Sequence, residues 1–151
     1  MKMSASTELF MGIRSLFRLY DKMLKKVCTE HELTLIEADI ISFLQNNPSK
    51  DTAADIVELR MLSKGAVSKA VESLIQKSLL ERIPDKEDRG QIHLRLKPKA
   101  GTCRESIDEM REKCLNTILE GFTKDEQELH RKLFNRLFEN TKRAMEGREK
   151  A

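Results

Sequence analysis

From Leu9 to Met145 the apolar side chains recur at intervals of three and four, and the interval changes to two only once, over Gln91–Lys97. A repeat near 3.6 places residues on one face of a helix, and a repeat of two places them on one face of a strand. A chain patterned this way reads as a set of helices interrupted by one β-hairpin. In that hairpin Leu80–Ile83 forms the first strand. In the second, Ile92, Leu94 and Leu96 share one face, and His93, Arg95 and Lys97 the other. The segment Pro84-Asp-Lys-Glu-Asp-Arg-Gly90 between them reads as a charged tip with a glycine turn.

The helices announce their own starts. Thr34 with Glu37, and Thr123 with Glu126, have capping-box spacing, in which a threonine hydroxyl takes an orphan amide and the acid reaches back to the cap. Thr52 with Asp55 makes a similar cap, and Ser63 an N-cap for the helix Lys64–Lys77. Asn46-Asn47-Pro48 ends the helix that Thr34 starts. In Lys64–Lys77 one face is apolar (Ala66, Val67, Ala70, Val71, Leu74, Ile75), and the other carries Lys64, Gly65, Ser68, Lys69 and Glu72.

The first helix, about Glu8 to Glu30, has a seam of Leu9, Ile13, Leu16, Tyr20, Met23 and Val27 and a second stripe of Phe10, Phe17 and Leu24. A helix apolar on two sides must be covered on two sides. The C-terminal helices, with Ile107, Met110, Cys114 and Ile118 and then Leu129, Leu133, Leu137 and Phe138, raise the same demand. The block 34–97 alone has a small core, so interleaving helices from two chains is the expected solution, an obligate twofold dimer. The fold class is therefore mainly α with a small β-hairpin wing. It reads as a winged helix-turn-helix over residues 34–98, with N- and C-terminal dimerisation helices over 1–33 and 99–151.

Three short helices followed by a basic-tipped hairpin suit duplex DNA. The second helix of the motif enters the major groove, where base edges carry the sequence code. Net charge is only +3, but ten basic against five acidic side chains lie between Arg60 and Lys99. Ser63 and Ser68 can donate to phosphates or base edges, Lys64 and Lys69 supply charge, and Gly65 lets the backbone approach. Lys86 and Arg89 at the tip reach the flanking minor groove or its phosphates. Three cysteines, Cys28, Cys103 and Cys114, without a CxxC pair, suit a reducing cytoplasm rather than a disulfide framework. The sequence has neither an N-terminal apolar run of signal-peptide length nor an apolar run long enough to span a membrane. No catalytic spacing stands out, so an enzyme is not expected.

The run Asp51-Thr-Ala-Ala-Asp-Ile-Val-Glu-Leu-Arg-Met-Leu-Ser-Lys-Gly-Ala-Val-Ser-Lys-Ala-Val-Glu-Ser-Leu74, followed by Lys77-Ser-Leu-Leu80 and Asp85-Lys-Glu-Asp-Arg-Gly90, resembles the multiple-antibiotic-resistance regulator (MarR) family. The resemblance covers residues 34 to 101 by motif and the whole chain by helix order. It implies a homodimer on pseudo-palindromic DNA, often a repressor released by a small aromatic or anionic effector. Carried over by position, Ser63, Lys64, Gly65, Ser68 and Lys69 fall on the groove-reading helix, and Asp85, Asp88 and Arg89 on the wing. Gly90 stands where the family's second wing arginine usually is, which makes the tip more flexible. Asp88 is expected to fix Arg89 by a charged hydrogen bond rather than to touch DNA. An effector pocket would lie where the first, second and fifth helices meet, with Arg14 and Arg18 as candidate anion partners, although surface salt bridges are the plainer reading of those two.

Three other readings remain. Cys28, Glu30 and His31 cluster at the end of the first helix, but a zinc site needs about four ligands, so neither a metal nor another cofactor is expected. Cys28 beside Lys25 and Lys26 is a candidate redox thiol only if it is exposed and acidic. A protein-interaction adaptor would need an apolar or acidic outer face on the Lys64–Lys77 helix, and that face is small, polar and mostly basic.

Overall fold

A computed structural model describes residues 2–150, with side chains as far as Gly147. The elements are α1 (Ala5–His31), α2 (Leu35–Asn46), α3 (Ala53–Arg60), α4 (Lys64–Gln76), β1 (Leu80–Pro84), β2 (Ile92–Leu96), a 3-10 turn (Pro98–Ala100), α5 (Gly101–Ile118) and α6 (Lys124–Lys150). The helix starts follow the local chemistry. The Thr34 hydroxyl accepts from the Glu37 amide at 3.1 Å while the Thr34 amide donates to Glu37 Oε1 at 2.9 Å. Thr52 with Asp55 and Thr123 with Glu126 repeat the reciprocal pair, and Ser63 Oγ accepts from the Ala66 amide at 3.1 Å. Each cap satisfies amides that the first turn would otherwise leave orphaned.

The chain divides into two compact units, 1–114 and 115–151. In the first, α2 is the central helix and buries Ala38, Ile40, Ile41, Phe43 and Leu44. Ile56 from α3, Val67, Ala70, Val71 and Leu74 from α4, and Leu80 and Leu94 from the hairpin complete the core. The C-terminal half of α1 joins it through Leu24, Val27 and Cys28, and α5 through Cys103, Ile107, Met110 and Cys114. Strands β1 and β2 pair antiparallel in the register Leu80↔Leu96 to Pro84↔Ile92. The face of β2 assigned to the core is buried only at Leu94; Ile92 is exposed and Leu96 half-buried. Between α3 and α4 the chain turns at Met61, whose backbone is left-handed (φ 54°, ψ 38°). A non-glycine residue there carries a strain of about 1 kcal/mol, borne by the tight turn that sets α4 against α3.

The first half of α1 buries nothing: Leu9, Phe10, Leu16 and Phe17 are all exposed. In the second unit, Gly121 (φ 84°) closes the turn after α5, a conformation that favours glycine. Along α6, rings follow one another, with His130 and Phe134 4.8 Å apart and Phe134 and Phe138 5.8 Å apart. Leu129, Leu133, Leu137, Phe138 and Met145 remain exposed on this helix.

Candidate nucleic-acid interface

Helix α4 is anchored at its apolar face and free at its polar one. Val67, Ala70, Val71 and Leu74 are buried, whereas Ser63, Lys64, Gly65, Ser68 and Lys69 are all exposed. The small side chains at Gly65 and Ser68 leave the helix surface low, and beyond the local helix backbone and the two adjacent residues no described atom lies within 4 Å of where a Gly65 Cβ would stand. The cap consumes the Ala66 amide, so the amides of Lys64 and Gly65 stay at the positive end of the helix dipole, where an anion is favoured.

The far end of α4 is tied to the core. Glu37, 1 % exposed, accepts from Lys77 Nζ at 3.0 Å and from Ser73 Oγ at 3.0 Å, besides its capping bond. Lys77 also donates to the Glu32 carbonyl at 2.7 Å. Burial alone would raise the Glu37 carboxyl, but its hydrogen bonds from Thr34, Lys77 and Ser73 outweigh this and hold it below the usual glutamate range. The capping pattern revealed the Thr34 contact. That Glu37 also receives the end of α4, forty residues on, had no sequence signal.

The wing tip is organised by a carboxylate. Asp85 Oδ1 accepts from the amides of Glu87 (2.8 Å) and Asp88 (3.0 Å), an Asx turn. The expected Asp88–Arg89 pair is not formed: Asp88 Oδ1 instead accepts from the Gly90 amide at 3.1 Å. Gly90 has no positive φ, so the turn does not depend on a glycine conformation. Lys86 and Arg89 project from the tip, both exposed.

At the wing base His93, assigned from alternation to the outer face of β2, is half-buried between two acids. Its Nδ1 is 2.7 Å from Asp51 Oδ1 and its Nε2 2.7 Å from Asp85 Oδ2. The hydrogen bonds to Asp85 and Asp51 raise the imidazole pKa above its ordinary value, while the bond to His93 and the Asp88 and Glu87 amides lower Asp85 to about 2. Two further ion pairs brace the hairpin: Arg95 Nε to Glu81 at 2.8 Å across the strands, and Arg82 to Glu72 of α4 at 2.9 Å. Between α3, α4 and the hairpin lies an apolar cleft of 480 Å³, edged by Lys64, Ser68 and Arg82.

The other candidates fall elsewhere. Arg14 and Arg18 are exposed on the first half of α1. Where α1, α2 and α5 meet, the polar groups instead include Tyr20, Asp39, Ser42 and Arg111. Arg111 donates to Ser42 at 2.7 Å, and Arg60 of α3 pairs with Asp39 at 3.1 Å. Burial raises both the Tyr20 phenol and the Asp39 carboxyl. Cys28 is buried, its thiol faces the Thr34 carbonyl at 3.6 Å, and burial, with Asp39 and Glu37 nearby, pushes its pKa up rather than down. This is the opposite of what a sensor thiol needs. His31 Nε2 lies 2.9 Å from Ser106 Oγ. Among the described residues no three His, Cys, Asp or Glu side chains converge on a metal position, and no helix is long and apolar enough to cross a membrane.

The MarR family model matches residues 31–89, from the end of α1 through the wing tip. No curated protein matches the sequence significantly. Solved structures share the fold over most of the chain. A MarR protein from Peptoclostridium difficile superposes with a TM-score of 0.79 at 18 % identity, covering 93 % of this chain and 92 % of its own. A mutant MarR from E. coli complexed with operator DNA gives 0.67 at 15 % identity, over 85 % and 92 %. BpsR from Bordetella bronchiseptica, whose DNA binding is regulated by 6-hydroxynicotinic acid, gives 0.67 at 16 %, over 86 % and 98 %. The matched segment, the exposed basic face of α4 and the shared fold lead to one conclusion: residues 31–89 form a winged helix similar to that of the MarR family, and the chain shares the fold of solved MarR proteins.

Proposed function

We propose that the chain acts as a cytoplasmic homodimer that sets its two α4 helices into successive major grooves of a pseudo-palindromic operator, about 34 Å apart. The observation that carries this reading is that the polar side of α4 stands uncovered, with Ser63, Lys64, Gly65, Ser68 and Lys69 exposed above a fully packed inner face. Lys64, Lys69, Lys86 and Arg89 supply affinity by displacing counterions from phosphates. Ser68, Lys69 and the first-turn amides of α4 set register and part of the specificity. Asp85 and Asp88 hold the tip through backbone amides.

The same reading makes the chain a ligand-responsive repressor. A small aromatic or anionic effector would bind where α1, α2 and α5 meet. Tyr20 offers a ring there, and Arg111 with Arg60 offers positive charge around the carboxylates of Asp39 and Asp21. These groups suit an anion better than Arg14 and Arg18, which lie farther along α1. Occupation would change the spacing of the two reading heads and weaken both half-sites together. Selection of bound sequences from random duplex DNA tests the core of the proposal. An inverted repeat is expected, and recovery of no sequence, or of an asymmetric one, would overturn the dimeric operator reading.

A further inference from the structure

The wing and the segment that leads into α3 are joined through one ionisable side chain. Asp51, just before α3, holds β2 twice: its carbonyl accepts from the Leu94 amide at 2.7 Å, and its carboxylate faces His93 Nδ1. Asp85 does the same for the tip, with one oxygen on the Glu87 and Asp88 amides and the other on His93 Nε2. His93 therefore links the base of α3 to the wing tip. Its cross-strand partner is Ile83, and among the described residues the charged groups acting on it are these two carboxylates.

Hydrogen-bond valence settles the state of the ring. An ionised carboxylate only accepts, and a neutral imidazole has one donor nitrogen and one acceptor nitrogen. Two carboxylates at 2.7 Å, one on each nitrogen, can both be satisfied only by a ring protonated at both. We propose that His93 is the positioning residue of the wing, held as an imidazolium between Asp51 and Asp85, and that its deprotonation frees the tip and weakens duplex binding. This rests on the reading of α4 and the wing as the DNA-binding face.

On losing a proton the ring turns a lone pair towards one carboxylate, and that link becomes repulsive. The cluster of one imidazolium and two carboxylates goes from one net negative charge to two, beside a surface meant for phosphate. Lys86 and Arg89, carried on the tip, lose their fixed position at the same step. The direction of the effect follows from the shifts. The His93 pKa is raised in the fold, so its contribution is complete at pH below the ordinary imidazole value and disappears as pH rises through the raised one. The Asp85 pKa is lowered to about 2, so its share is present above the ordinary carboxylate range and is lost only as pH falls through that value. The clamp therefore holds at pH below the ordinary imidazole value and opens as pH rises through the raised one.

Long-range nitrogen–proton NMR of the intact protein without DNA reads the ring directly. Both His93 nitrogens should be protonated at neutral pH, the ring should titrate above the ordinary imidazole value, and the amides of residues 85–91 should shift with it. Asp51→Ala should bring the His93 titration back down. Binding of a mixed-sequence DNA duplex at constant salt then tests the consequence, because phosphate contacts do not require the operator. Affinity should fall about fivefold to tenfold between roughly pH 6 and pH 9, an ordinary size for coupled sites. His93→Gln, which retains donor and acceptor but does not titrate, should flatten that profile. A single-protonated ring at neutral pH, or a titration at or below the ordinary value, overturns the clamp. An intact clamp with the same pH profile of duplex binding in His93→Gln and the parent overturns its role on DNA. Failure of the parent to bind duplex at any pH would instead remove the DNA-binding reading and leave the ring assignment to the NMR.

Discussion

Helices α2 and α6 both carry apolar side chains at helical spacing and meet opposite fates. Of the twelve residues of α2, seven are buried, including a glutamate and a serine. None of the described side chains of the much longer α6 is buried, and Leu129, Leu133, Leu137 and Phe138 lie between 44 % and 58 % exposed. An apolar stripe says which face of a helix must be covered and nothing about what covers it. For α2 the cover is its own chain. For α6, and for the exposed first half of α1, the proposed cover is a second copy. The comparison thus separates a block covered by its own chain from helices whose cover, on the proposed reading, is a second copy.

The sharpest way to break this contrast is to make α6 polar. Leu133→Asp combined with Leu137→Asp should dissociate the dimer. Each leucine contributes about 1.5–3 kcal/mol on burial and would count twice in the proposed twofold dimer. Sedimentation equilibrium reads the result, and a parent that sediments as a folded monomer at micromolar concentration would remove the contrast altogether. On the other side, Glu37→Ala should cost about 2–3 kcal/mol in urea unfolding, because it strands the Lys77 amine, the Ser73 hydroxyl and the Thr34 amide together. That figure is below a fully buried pair because Lys77 is partly exposed. Since the Glu37 pKa is lowered in the fold, its contribution stands above the ordinary glutamate pKa and disappears as pH falls through the lowered one. A parent whose stability is indifferent to acid in that range, with Glu37→Ala equally stable, would refute the anchor.

Two smaller changes refine the picture. Lys69→Ala and Arg89→Ala should each leave the fold intact and reduce the salt slope of duplex binding by about 0.9, the release of one counterion. Normal affinity and slope in both variants, at matched salt, would reject them as phosphate contacts. Thr52→Ala should lower stability by about 1 kcal/mol through its cap, seen as a lower unfolding midpoint with α6 unaffected. No change there would mean that packing rather than capping sets the start of α3.

Much of the fold was legible because its signals are local. The threonine–acid pairs at Thr34, Thr52 and Thr123, the Ser63 cap and the single change of period each act within one turn or one strand, so spacing alone exposed them. The exposed side of α4 followed from the same periodicity. What escaped was contact between distant segments: Lys77 on Glu37, Arg82 on Glu72, and His93 between Asp51 and Asp85. Alternation placed His93 outward with Arg95, and only the approach of the loop before α3 covers it. The partner of the Asp88 carboxylate differs for the opposite reason: it holds the Gly90 amide beside it rather than Arg89.

By itself the sequence determined where helices start, which faces are apolar, and that one small polar, basic helix face is fit for a duplex. These depend on interactions within a few residues, and the chain carries them wherever it goes. Tertiary structure alone decided which charges meet, and so which histidine is held doubly protonated and which glutamate receives the end of α4. Those pairings exist only when packing brings segments forty residues apart within 3 Å, and no local pattern encodes the closure of so long a loop.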